Sequence, residues 1–166
     1  NKNLLREFVE IAKKKRIKFY VMYGQTEATA RISYLDWAFI EKKIGSIGKP
    51  LPGGKFFIHD NKNRLIRKNG LAGELVYTGD NVMLGYAKNI KDLKKEDINK
   101  KKLFTGDLAT KDKDGFYYIT GRKSRYLKML GFRLSLDELE QEIKNQGIDC
   151  ACSGKDDDLR IFITNP

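Results

Sequence analysis

Apolar residues at Leu4, Leu5, Phe8, Ile11 and Ala12 recur at helical spacing. They predict a helix over about residues 4–15, with lysines at its C-terminal end, where the helix dipole favours cations. Over residues 17–22 the alternation weakens and the stretch is rich in β-formers, so a buried strand is expected. A helix feeding a strand that ends in Tyr23-Gly24-Gln25-Thr26-Glu27 matches the last unit of an α/β layer, whose ligands sit at the carboxyl ends of the strands. From Ile44 onward, short apolar segments at 56–59, 74–78, 108–111 and 116–120 alternate with turn signals. These are Pro50-Leu51-Pro52-Gly53-Gly54, Asp60-Asn61, Asn69-Gly70, Asp80-Asn81 and Asp114-Gly115. The alternation predicts a β-rich module, a small distorted barrel, with a hairpin at Asp114-Gly115. Residues 89–102 are charged, with Ile90, Leu93 and Ile98 as their large apolar members, and read as a surface excursion with a short helix. Ser135 and Glu138 fit a capping box opening a helix that Gly147 stops, with Leu136, Leu139 and Ile143 as its buried stripe. Residues 148–164 then read as strand, acidic turn and strand.

The length of 166 residues suits one domain or parts of two. No apolar run approaches the ~20 residues of a membrane span, and no charged-then-apolar leader opens the chain, so a soluble, cytoplasmic protein is expected. Cys150 and Cys152 are the two cysteines; one residue apart on a strand they share a face, are poorly placed to bridge each other, and point to a reducing compartment. With His59 as the single histidine, a structural zinc site or a Ser-His-Asp hydrolase within this chain is excluded, and His59 reads as a structural residue at a strand end. The net charge of +11 comes mostly from lysines in runs such as 13–15, 94–95 and 100–102. Solvated faces account for that better than a nucleic-acid partner, which calls for aromatic and Arg residues interleaved on one surface.

Chemistry concentrates in a few places. In the loop after the first strand, Gly24 permits a tight backbone and Thr26 supplies a hydroxyl for a phosphate oxygen. Glu27 supplies a carboxylate suited to Mg²⁺, and Tyr23 offers a flat face to a base; a polar turn is the alternative. Asp107, after Gly106 at the start of a strand, can accept hydrogen bonds from the vicinal hydroxyls of a ribose, or belong to an ordinary turn. Arg122, Lys128 and Arg133 place fixed positive charges near Gly121 and Gly131, where backbone can approach a ligand; a surface linker is the alternative. Asp156, Asp157 and Asp158 fit a solvated hairpin tip better than a metal site. Arg31, Tyr34, Trp37 and Phe39 either wall an acyl pocket or pack the interior.

Taken in order, Tyr23-Gly24-Gln25-Thr26-Glu27, Gly45-Ser46-Ile47-Gly48-Lys49-Pro50, Gly73-Glu74-Leu75 with Gly79 and Gly85-Tyr86, Thr105-Gly106-Asp107, and Gly121-Arg122 with Lys128, Gly131 and Arg133 form a series. It resembles the later motifs of the adenylate-forming superfamily: acyl-CoA synthetases, adenylation domains of peptide synthetases, and luciferases. The resemblance covers about residues 17–145. It implies a mixed α+β, acetyl-CoA synthetase-like fold: the end of an α/β layer over 1–44, a β-barrel-like subdomain over 45–121, a hinge over 122–125, and part of a small α+β C-terminal domain over 126–166. The hinge position maps to Ser124, where many relatives carry Asp or Lys.

By the same resemblance, Tyr23 lies against adenine, Thr26 contacts the α-phosphate, and Glu27 holds Mg²⁺. Asp107 and Arg122 bind the ribose, and Gly24 and Gly131 lie along the nucleotide and thiol path. Lys128 and the Gly131 loop line the approach of a pantetheine thiol after the hinge turns. The implied reaction is that of an ATP-dependent carboxylic acid ligase, which forms an acyl-AMP intermediate with Mg²⁺ and passes the acyl group to coenzyme A or to a pantetheine carrier protein. Family members also carry a Ser/Thr/Gly-rich triphosphate loop upstream and a lysine near the C-terminus. Neither motif occurs in these residues, so the chain is expected to be a segment of a longer ligase and inactive alone. An amino-acid adenylation domain is the rival within the class; a non-catalytic basic module that binds nucleic acid is the rival outside it.

Overall fold

The computed structural model describes residues 2–164. Asn1, Asn165 and Pro166, the outer ends of the first and last expected segments, lie outside the described residues. The chain divides into two compact units, parting between Thr120 and Gly121.

The first unit opens with helix α1 (Lys2–Lys14), whose last turn carries Lys13 and Lys14. The strand expected over 17–22 contracts to β1 (Val21–Tyr23) and is not buried on both faces, since Ile17, Tyr20 and Met22 are all exposed. The reason lies in its pairing. β1 runs antiparallel to β2 (Ser33–Leu35), which runs antiparallel to β3 (Lys49–Pro50). A strand covered on one face alternates, and here Phe19 and Val21 turn inward with Val9, Leu35, Ile40 and Phe116.

Four further strands, β4 (Lys55–His59), β5 (Gly73–Thr78), β6 (Lys102–Lys111) and β7 (Tyr117–Arg122), form an antiparallel sheet in that order. A side-chain contact links its two outer strands. The Tyr117 hydroxyl donates to Phe56 O at 3.1 Å, and the two rings stand 5.1 Å apart. This is the β-rich layer expected from the turn pattern, here an open four-stranded sheet whose core holds Phe56, Ile58, Leu75, Tyr77, Leu103, Ala109 and Tyr117. Asp114-Gly115 makes the β6–β7 turn as expected, with Gly115 at φ 82°.

The segment at 45–50 stitches the two sheets together. Gly48 bridges Tyr117, buried Ser46 Oγ donates to Tyr117 O at 2.8 Å, and Ser33 Oγ donates to Ile47 O at 2.8 Å. Gly48 sits at φ 80°, and a Cβ there would lie 1.7 Å from Tyr34 O; only glycine fits. His59 closes β4 with its ring edge on Phe104, and its Nδ1 is buried without a hydrogen-bond partner among the described residues. Between β5 and β6 the chain makes the expected excursion. A 3-10 turn at Ile90–Lys94 is capped by Asn89, and Ile90, Leu93 and Ile98 are exposed.

The second unit starts with a 3-10 turn at Lys123–Arg125, then the hairpin of β8 (Tyr126–Met129) and β9 (Phe132–Ser135). Its two-residue turn holds Leu130 at φ 50° and Gly131 at φ 85°, the positive angles that match the strand twist. Phe132 and Arg133 open β9. Helix α2 (Leu136–Asn145) is capped by Ser135, whose Oγ accepts from Glu138 N, and Gly147 ends it at φ 82°. The hairpin of β10 (Cys150–Lys155) and β11 (Asp158–Ile163) covers it, and Leu127, Leu136, Cys152, Leu139, Ile143 and Leu159 form the core.

Cys150 and Cys152 share the buried face as free thiols. Arg125 ties the unit together, donating to Asp137, Glu140 and Cys152 O at 2.6–2.7 Å. The acidic tip is more than a solvated turn. Asp156 and Asp157 accept from the Lys128 and Leu130 amides at 2.8 Å, so they cap the neighbouring hairpin. No helix of the described residues is long and apolar enough to cross a membrane.

Candidate functional site

The residues expected at a site fall in both units. Tyr23, Gly24, Thr26, Glu27 and Asp107 belong to the first; Arg122, Lys128 and Gly131 belong to the second.

In the first unit, Tyr23 ends β1 and Asp107 lies inside β6, 84 positions away. The Tyr23 hydroxyl donates to Asp107 Oδ2 at 2.6 Å. Gln25 completes a clasp: its amide donates to the same oxygen at 3.0 Å and to Thr105 O at 2.8 Å. The sequence pattern places Asp107 at the start of a strand. The strand is longer, and its β5 pairing shifts register between Glu74 and Val76, opposite Thr105-Gly106-Asp107, with Gly106 at φ 73°. Such a bulge re-aims a side chain. Buried Thr105 braces it, donating from Oγ1 to Leu75 O at 2.8 Å and accepting from Asp107 N at 3.1 Å.

Thr26 and Glu27 lie one step further along, in a 3-10 turn at Thr26–Ala28. Thr26 is exposed, Glu27 is half-buried, and Ala28 is fully buried beneath them. Gly24 lets the loop close, because a Cβ there would lie 2.4 Å from Ala30 O. Tyr86 donates its hydroxyl to Glu27 Oε1, and that contact raises the Tyr86 phenol above its ordinary pKa, with burial adding to it. One carboxylate beside a hydroxyl is a donor set that fits a hard divalent cation completing its shell with phosphate oxygens and water. Among the described residues no group of three or more His, Cys, Asp or Glu forms a self-sufficient metal cage.

In the second unit, Arg122 is exposed at the end of β7, Lys128 is exposed on β8, and Gly131 is at the tip of the β8–β9 turn. The space around Gly131 is open, so the hairpin geometry alone accounts for glycine there. Of the aromatic segment, Tyr34 is 37% exposed and Trp37 and Phe39 are each 46% exposed. They do not fill the interior; Phe39 rests on Phe116, and the Lys18 ammonium stands 5.4 Å over Trp37.

Three contributors were not singled out from sequence: Gln25, Asn81 and Tyr86. Gln25 and Tyr86 stand inside motifs already noted, and their polarity beside Tyr23 and Gly85 was the available signal. Asn81 belongs to the Asp80-Asn81 turn signal, which carries no such cue.

Residues 1–87 match the family described as AMP-binding enzyme. A 2-succinylbenzoate–CoA ligase of Bacillus cereus is 36% identical over 119 residues, covering 72% of this chain and 24% of that protein. The nonribosomal peptide synthetase ataP of Aspergillus terreus is 34% identical over 158 residues, covering 89% of this chain and 10% of its own. The structure of O-succinylbenzoate CoA synthetase from Bacillus subtilis with its acyl-adenylate intermediate superposes with a TM-score of 0.70 at 25% identity, covering 95% of this chain and 34% of that one. The chain thus spans about a quarter of the length of the curated CoA ligases it matches. The motif series, the mixed α+β fold and the family match over more than half of the residues agree, and the chain belongs to the AMP-binding enzyme family.

Proposed function

We propose that the chain supplies the adenosine- and α-phosphate-facing part of an ATP-dependent carboxylic acid ligase, which forms an acyl-AMP and passes the acyl group to a thiol. The observation that carries this is the clasp of Tyr23 and Gln25 on Asp107, with Thr26 and Glu27 in the adjoining turn. It joins a carboxylate suited to paired ribose hydroxyls with a hydroxyl and carboxylate suited to a phosphate and its cation. The relatives named as CoA ligases and as a peptide synthetase support the same class.

In the first half-reaction a substrate carboxylate oxygen attacks the α-phosphorus of ATP and pyrophosphate leaves with the P–O bond electrons. Tyr23 presents its ring to the base while its hydroxyl holds Asp107 in place. Asp107 accepts from the ribose hydroxyls, and this fixes the α-phosphate over Thr26, whose hydroxyl donates to it. Glu27 and the phosphates would hold Mg²⁺, which neutralises charge on the oxygens during transfer. In the second half-reaction a thiolate attacks the acyl carbon and AMP leaves. We assign Arg122 to the ribose, and Lys128 with the Gly131 turn to the thiol path. The hinge at 122–125, around Ser124, brings the second unit into use for that step. The thiol is that of coenzyme A or of a carrier protein, and the acid pocket is completed elsewhere. Two free thiols suit a reducing, cytoplasmic setting.

A second reading, amino-acid adenylation, rests on the 34% identity to the peptide synthetase over 158 residues. ATP–pyrophosphate exchange by the protein carrying this chain separates the two, using fatty, aromatic, hydroxy and amino acids. Exchange supported by one acid class and lost in Asp107→Ala is the expected result. A folded protein that binds ATP but exchanges with no acid overturns the proposal; acyl-AMP formation by the 166-residue chain alone overturns only the expectation that this segment is inactive by itself.

A further inference from the structure

The Thr26–Ala28 turn is held from outside by the first residues after β5. Met83 N donates to Glu27 O at 2.8 Å, the Asn81 amide donates to Ala28 O at 2.6 Å and to Thr29 Oγ1 at 3.2 Å, and Tyr86 donates to the Glu27 carboxylate. Thr29, which closes the turn, sits at φ 67° and ψ 166°. A β-branched residue adopts that backbone only where its surroundings hold it.

The holding segment is itself braced. Asn81 Oδ1 accepts from the Tyr77 hydroxyl at 2.7 Å, which orients its amide toward Ala28. Tyr77 is buried at 2% exposure between Gly54 and Gly79, where a Cβ on either glycine would come within 2.5 Å of its hydroxyl. On the far side, Asn99 donates to Met83 O at 2.8 Å, and Ile98 N donates to Leu84 O at 2.9 Å.

We propose that residues 79–86 act as a strap that sets the Thr26–Glu27 turn, with Asn81 positioning its backbone and Tyr86 positioning the Glu27 carboxylate. The inference rests on the reading of that turn as the phosphate and cation site. Neither residue touches the substrate. Asn81 transmits the rigidity of the β4–β5 core to a strained turn, and Tyr86 fixes one carboxylate oxygen so that the group meets a cation in one orientation. Partners behind a ligating carboxylate typically change metal affinity 10–100-fold.

Two measurements read the two halves separately. In the 166-residue chain without ligand, hydrogen exchange at the Met83 amide is expected to speed up at least tenfold in Asn81→Asp, which keeps the shape and the acceptor but loses the donor. Exchange should stay unchanged in Tyr86→Phe, whose ring is exposed. Equal Met83 exchange in wild type and Asn81→Asp overturns the backbone half. For the carboxylate half, Mn²⁺ is titrated by electron paramagnetic resonance in the presence of ATP against wild type, Tyr86→Phe, Glu27→Gln and the double variant. About tenfold weaker Mn²⁺ binding in Tyr86→Phe, with no further loss when it is added to Glu27→Gln, is the expected pattern. Weakening in Glu27→Gln but not in Tyr86→Phe, or additive losses, overturns the role of Tyr86 while leaving the cation site standing. Mn²⁺ binding indifferent to Glu27→Gln overturns the cation site and the Tyr86 role with it; the backbone half is then judged by exchange alone.

Discussion

Removing the Tyr23 hydroxyl tests the clasp on Asp107 one atom at a time. In Tyr23→Phe the ring keeps its edge contact with Phe56, 6.4 Å between centroids, and loses the donor 2.6 Å from Asp107 Oδ2 together with the weaker acceptor 3.5 Å from Gln25 Nε2. A hydrogen bond to a charged acceptor contributes about 1.5–3 kcal/mol. Both side chains here are half-buried, and Gln25 still holds the same oxygen at 3.0 Å, so a loss of about 1–2 kcal/mol is expected. For a unit of this size each kcal/mol moves Tm by about 3–5 °C, a fall of roughly 3–10 °C in total. The assay is a double-mutant cycle with Asp107→Ala, by urea and thermal unfolding followed by circular dichroism. A coupling of about 1 kcal/mol or more is expected. With the carboxylate still held by Gln25 but no longer by Tyr23, AMP affinity should fall by up to about tenfold, the equivalent of about 1.4 kcal/mol. Coupling below about 0.3 kcal/mol with an unchanged Tm would refute the argument that this bond orients Asp107.

Other substitutions probe the frame around the site. Gly48→Ala combines a φ of 80° with a Cβ 1.7 Å from Tyr34 O; a cost of about 4 kcal/mol or more is expected, read as loss of cooperative unfolding of the first unit. Ser135→Ala removes the cap of α2 and should lower the stability of the second unit by about 1 kcal/mol, measured by urea unfolding. The Cys152 amide, with Arg125 second, holds the Glu140 carboxyl below its ordinary range. A depressed carboxylate stabilises above its unfolded pKa, near 4.3, and that contribution is lost as pH falls through the folded value. Urea midpoints of the second unit should therefore drop below about pH 4 in wild type and flatten there in Glu140→Gln.

Much of this was legible along the chain because the determinants are local. Asp114-Gly115, the Ser135 and Glu138 cap, the Gly147 stop and the alternation in β4 to β7 each involve residues within a few positions of one another. The motif series was legible for the same reason: each motif is a short run with its own chemistry. The limits of β1 were not, because residues 17–22 are rich in β-formers throughout, and which face is covered depends on α1 and on pairing with β2.

What the sequence by itself determined is therefore the set of elements, their order, the family and the residue types that carry chemistry. What only the tertiary structure decided is which of those residues meet. Tyr23 and Asp107 are 84 positions apart and come within 2.6 Å through a bulge that exists only because β5 and β6 pair out of register. Asn81 and Tyr86 reach the Thr26–Ala28 turn from more than 50 positions away, and Asp156 and Asp157 cap the Lys128 hairpin in the same fashion. Local preferences act over a few residues of backbone, whereas a hydrogen bond between distant segments forms only after the whole core has fixed their separation, and no periodicity along the chain encodes that distance.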